Sequence, residues 1–171
     1  GPSKKATILF SGPANLAARE AQAILAEFHD ISAELWSVTS YKRLRADALD
    51  VERRNRLRPE DEPDLPHITR KLQASEGPIV AVSDWMGLVP GQVSSWTPRP
   101  MRVLGTDGFG RSDTREALRS FFEVDAFSVV VAVLYALYET GAVPATEVTA
   151  AIQTYGIDPY RPDPAHPDTG S

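Results

Sequence analysis

The chain has 171 residues, 42% of them hydrophobic, and a formal net charge of −5. That length suits one domain with a real core, and the acidic balance argues against a nucleic-acid partner, whose footprint is basic. There is no cysteine, and the three histidines stand far apart at positions 29, 67 and 166, so the sequence offers no disulfide framework, no thiol nucleophile and no His/Cys metal centre. No apolar run reaches membrane length and no signal peptide opens the chain, so no membrane partner and a cytoplasmic location are expected. Gly1-Pro2-Ser3 reads as a remnant of tag cleavage, residues 4–157 as the domain and 158–171 as a proline-rich tail.

Ala6 to Phe10 is a short apolar run stopped by Ser11-Gly12-Pro13, the pattern of a buried parallel strand and its turn. From Asn15, Leu16, Ala17, Ala21, Ile24, Leu25 and Phe28 recur at helical spacing. Ser32 to Val38 is the next strand. Thr39 or Ser40 then caps a helix carrying Leu44, Ala48, Leu49 and Val51. That helix runs into Arg53, Arg54, Arg56 and Arg58, followed at once by Glu60, Asp61, Glu62 and Asp64 among prolines.

The arginine cluster has two readings. It is either a solvated helix end paired with the acidic segment or a docking surface for an acidic partner. Residues three and four apart share a helix face, so Arg54 goes with Arg58 and Arg53 with Arg56. The expectation is that the acidic segment neutralises the second pair and leaves Arg54 and Arg58 for a partner.

His67 to Gln73 is a short helix, and Gly77-Pro78 turns into Ile79 to Val82, the most clearly buried strand. Ser83 and Asp84 stand at its carboxyl end, where open α/β sheets place ligands, and either one also suits a helix cap. Gly87, Pro90 and Gly91 should kink or delay the helix that follows. Met101 to Leu104 is the fourth strand. A loop with glycines at 105, 108 and 110 comes next, then an amphipathic run through Leu118, Phe121 and Phe122.

Amides at such a loop could hold an anion, and a small nucleotide-binding role rests on that. But the glycine order is G-x-x-G-x-G rather than G-x-G-x-x-G, and no phosphate-loop lysine follows. The other reading is a tight turn packed under a neighbour, with Thr106, Asp107, Phe109, Arg111, Asp113 and Arg115 as candidate interface residues. Asp125 caps a long apolar helix to Thr140, Gly141 stops it, and Pro144 starts a last helix through Tyr155. The alternation βαβαβαβ with short connections predicts an α/β fold, a three-layer doubly wound parallel sheet in the order 2-1-3-4.

Leu104 to Asp125 (LGTDGFGRSDTREALRSFFEVD) resembles the C-terminal region of the homodimeric pyruvate dehydrogenase decarboxylating component, a transketolase-like enzyme. Leu35 to Ser40, Glu52 to Pro63, Ser83 to Met86 and Tyr155 to Pro159 look like the same family in the same order. The resemblance implies a transketolase C-terminal-like domain, with one further antiparallel strand supplied from upstream and one sheet edge therefore left for another segment or chain. It implies thiamine diphosphate and magnesium in the complete enzyme, held between the other domains, with no catalytic, cofactor-binding or metal residue in this chain. It implies thiamine-binding domains or sister subunits as partners, a homo-oligomer, and a dihydrolipoyl acyltransferase as a further partner.

The residues agree with that implication, since no GDG with a following Asn, no nucleophile elbow and no acid–base carboxylate spacing occurs. Arg54 stands where the family usually has tryptophan and Arg58 where it has histidine, and the glycines and proline at 87, 90 and 91 interrupt a usually smooth helix. These departures point to a diverged paralogue or a split subunit. A non-catalytic docking module on the same fold is the competing reading.

Overall fold

The computed structural model describes residues 1–83, 88–105 and 125–160. Their strands are β1 (Lys4–Phe10), β2 (Ile31–Ser37), β3 (Ile79–Val82) and β4 (Met101–Leu104), all parallel, in the order β2-β1-β3-β4. The helices are α1 (Asn15–Phe28), α2 (Tyr41–Leu57), α3 (His67–Leu72), the single turn α4 (Leu88–Gly91), α5 (Ala126–Glu139) and α6 (Ala145–Thr154). The order 2-1-3-4 and the doubly wound α/β class are those read from the sequence.

Successive side chains of a strand face opposite sides, and here both sides are apolar. Ala6, Ile8, Phe10, Val80 and Val82 face α1, α5 and α6 and pack with Ala18, Leu25, Val129, Val133 and Leu134. Leu9, Ile79 and Ala81 face the other way, onto Tyr41, Ile68, Leu72 and Val93. These are the three layers of helix, sheet and helix. The last two helices belong to the first of these cores.

Local chemistry sets the helix ends. Ser40 caps α2 by accepting from the Arg43 amide at 3.2 Å, and Asp125 caps α5 by accepting from the Ser128 amide at 2.9 Å. At the far end of α5, Gly141 takes φ +80 and the amides of Gly141 and Ala142 donate to the Tyr138 and Leu137 carbonyls, both at 2.9 Å. That is the paired closure of a Schellman end. Gly87, Pro90 and Gly91 were expected to spoil a helix. The described part of that stretch forms only α4 and a 3-10 turn at Ser94–Trp96.

Three apolar assignments are corrected. Leu16 and Phe28 are 55% and 67% exposed, and Leu49 is also exposed. Leu16 lies on the opposite side of the helical wheel from the buried stripe Ala17, Ala18, Ala21 and Leu25. Phe28 keeps the phase of that stripe but is the last residue of the helix.

Gly77 sits where the chain enters β3, at φ +77, against the backbone of β1. A Cβ there would fall 1.9 Å from the Lys5 carbonyl oxygen and 2.4 Å from its carbon. Gly141 shares the left-handed backbone but has open space around it. Gly141→Ala should therefore lose about 1–2 kcal/mol of unfolding free energy from backbone conformation alone. Gly77→Ala should lose distinctly more, because the β1–β3 pairing must also open. Paired urea titrations check this, and equal losses would show that the Lys5 contact yields freely.

Candidate functional site

In a sheet ordered 2-1-3-4 the connections leaving β1 and β3 run toward opposite edges, and such a switch point is where open α/β sheets form a crevice beyond the strands' carboxyl ends. Here the two strand-end residues are Ser11 and Ser83, 2% and 0% exposed. Ser11 Oγ donates to Ser83 Oγ at 3.2 Å, and the Ser83 amide donates to the Leu104 carbonyl at 3.0 Å, so this hydroxyl pair stitches the strand ends together. Asp84, the other residue singled out there, lies outside the described residues. So do Thr106, Asp107, Phe109, Arg111, Asp113 and Arg115.

Among the described residues an open space on this edge lies beside the switch point, over the ends of β1 and β2. A cavity of about 450 Å³ is enclosed by the segment Trp36 to Ser40, the first turns of α2, and α3. Its floor is apolar, from Leu9, Trp36, Leu44, Ile68 and Leu72, and Arg43, Asp47, His67 and Lys71 stand in its walls. Asp47 Oδ2 accepts from the His67 amide at 2.7 Å, which ties α2 to the start of α3. None of these charged residues was singled out from the sequence. Two segments some thirty positions apart supply them with no motif spacing, and Ser40 as a helix cap was the one local signal.

A second polar cluster joins the end of α1 to α6 and the residue after it. His29, at the end of α1, has Nε2 2.6 Å from the Tyr155 hydroxyl and Nδ1 4.0 Å from Glu147 Oε1. Tyr155 also stacks on Phe127, with ring centroids 4.7 Å apart. Burial pushes the His29 pKa below its ordinary value, Glu147 opposes the shift, and Lys4 adds to it. Burial also raises the Tyr155 pKa. His29 Nε2 and the Tyr155 hydroxyl share one hydrogen bond, whose direction follows the imidazole tautomer. Nothing in the sequence links positions 29 and 155.

The arginine cluster is arranged differently from the expectation. Arg54 is held, with Nε 3.1 Å from Asp50 Oδ2 and an Nη 3.4 Å from Asp64 Oδ2, so it is not one of the free arginines. Asp50 is one helical turn behind it, an i,i+4 pairing that the spacing argument did not weigh. Arg53, Arg56 and Arg58 are exposed and form no ion pair among the described residues. Asn55 positions the acidic segment: its Nδ2 donates to the Asp64 carbonyl at 3.0 Å and its Oδ1 accepts from the Asp64 amide at 2.9 Å. Among the described residues no three His, Asp or Glu side chains gather to hold a metal, and no helix is long and apolar enough to cross a membrane.

A doubly wound parallel domain of this order, with its strand ends sealed by hydroxyls, defines an α/β domain of the three-layer class. The chain belongs to the Transketolase-like TK C-terminal domain family, whose sequence profile matches residues 2–125. It is 45% identical over 171 residues to the pyruvate dehydrogenase E1 component of Mycolicibacterium smegmatis, covering 99% of this chain and 18% of that protein. It is 44% identical over 158 residues to the E1 component of Pseudomonas aeruginosa, covering 92% and 18%. Against the E1 component of Escherichia coli K12 it is 42% identical over 165 residues, covering 96% and 18%. The chain therefore spans less than a fifth of the length of these relatives.

The His29 cluster has a pH signature. Its folded pKa lies below the unfolded value of about 6.5, so the unfolded chain takes up the proton first as pH falls. The contribution is fully present above pH 6.5 and is lost as pH drops through the folded pKa. The urea midpoint should fall more between pH 7.5 and pH 5.5 in the parent chain than in His29→Gln, which has no titrating ring. Parallel pH profiles for the two proteins would remove His29 from the account.

Proposed function

We propose that this chain is the C-terminal part of a thiamine-diphosphate-dependent 2-oxo acid dehydrogenase of the pyruvate type, and that it serves dimerisation and assembly. The observation that carries this is the match at 42–45% identity along more than nine-tenths of the chain to a small fraction of each E1 component. Decarboxylation of the 2-oxo acid and transfer of the acyl unit to a lipoyl group belong to the complete enzyme. No catalytic step is assigned to this chain.

In this reading the segment Thr106 to Arg115 is the interface to sister domains or to a second copy, with Phe109 as its apolar anchor. Phe109→Ala should weaken self-association, or association with the thiamine-binding portions, by about 2 kcal/mol. Sedimentation velocity of the chain alone and mixed with those portions measures this. Unchanged profiles in both arms would overturn the assembly role of the loop.

Docking of an acidic partner such as a dihydrolipoyl acyltransferase is a second reading, favoured by the exposed Arg53, Arg56 and Arg58. Because Arg54 is tied to Asp50 and Asp64, reversal at Arg58 alone tests docking more cleanly than the double reversal of Arg54 and Arg58. Arg58→Glu should slow association with the partner and flatten its salt dependence, with a stability change of less than about 1 kcal/mol. A large drop in Tm with intact binding would make the cluster structural.

A further inference from the structure

The cavity over β1 and β2 lies apart from the residues 106–115 and the arginines to which the proposed assembly and docking roles are assigned. We infer that it binds a small organic acid: a carboxylate carried on an aromatic or branched aliphatic body. Its volume of about 450 Å³ lies within the range of about 300–1,000 Å³ typical of small-molecule sites. The floor of Leu9, Trp36, Leu44, Ile68 and Leu72 asks for an apolar body.

The charge in the walls sets the polarity of the ligand's other end. Arg43 and Lys71 are exposed cations that form no ion pair among the described residues. The single wall carboxylate, Asp47, already accepts from the His67 amide. Both cations stand beside the capped start of a 17-residue helix, whose end carries partial positive charge of its own. A cationic ligand is disfavoured here, and an inorganic anion would leave the floor bare.

An independent observation points to the same cavity. Among the described residues the buried side-chain polar atoms without a hydrogen-bond partner are Trp36 Nε1 and the Tyr41 hydroxyl. Trp36 lines the cavity. Tyr41, 1% exposed, packs in one cluster with Leu9, Ile68 and Leu72 of its floor. The indole N–H is purely a donor and the phenol also donates. An unmatched indole donor on a residue that lines the cavity suits a ligand that brings an acceptor, as a carboxylate does.

The test uses the whole 171-residue chain with its three tryptophans labelled at the indole nitrogen. The Trp36 signal is identified by its loss in Trp36→Phe. Indole-3-acetate and phenylacetate are titrated against their amides and against inorganic phosphate. The expected result is a saturable shift of the Trp36 signal with the acids only. Arg43→Gln and Lys71→Gln should each weaken binding about tenfold or more, as loss of a hydrogen bond to a charged group does. Both side chains are exposed, so these variants keep the fold, and the unshifted Trp96 signal reports that directly. No saturable shift with either acid would overturn the inference. So would equal binding of the amides, equal binding of phosphate, or unchanged affinity in both variants.

Discussion

Everything in the described structure hangs on β1 lying flat between β2 and β3. Its seven residues pair with β2 along their whole length, from Lys4 with Ile31 to Phe10 with Ser37. Its second half pairs also with all of β3. A strand paired on both sides and covered by helices on both faces has no room for a polar side chain without a partner. Thr7 is the exception that obeys the rule: it is fully buried, and its hydroxyl donates to the Glu76 carbonyl at 3.0 Å. The same closeness excludes a Cβ at position 77, so one glycine fixes how near the third strand comes to the first.

The tight strand ends and the open cavity are two outcomes of one topology. Where the crossovers part, between β1 and β3, the two strand-end serine hydroxyls bond to each other. Between the ends of β1 and β2 and the helices α2 and α3, the cavity stays open. α3 is only six residues long, and its approach is fixed by the Asp47 contact and by Thr69, whose hydroxyl donates to the Trp96 carbonyl at 2.6 Å. Arg99 adds a brace on the far side of the layer, donating to the Gly77 carbonyl at 2.6 Å and to Ser75 Oγ at 2.7 Å. The loops before β3 and β4 are thereby fastened to each other without help from the sheet.

The fold was readable because its signals are local. Unbroken apolar runs such as Ile79 to Val82, and caps such as Ser40 and Asp125, need only a few neighbours to be recognised. The strand order followed from the right-handed crossover rule acting on those runs. Exposure of Phe28 was less readable, since period alone does not say where the covering helices stop, whereas Leu16 is already out of phase with the buried stripe. The candidate site was largely hidden. Arg43 and Lys71 come together only after two helices dock, and the pairing of Arg54 with Asp50 required choosing between partners ahead of and behind it on the chain. The His29–Tyr155 bond is the extreme case, because no sequence rule reaches that far.

That bond also bears on how the domain is made. The two residues are 126 positions apart, so the ribosome needs roughly 6–25 s at ordinary elongation rates to add the second after the first. During that interval β1, α1 and β2 can assemble, but the apolar side of α1 that faces α5 still lacks that partner. The first of the two cores is completed only when the last helices emerge.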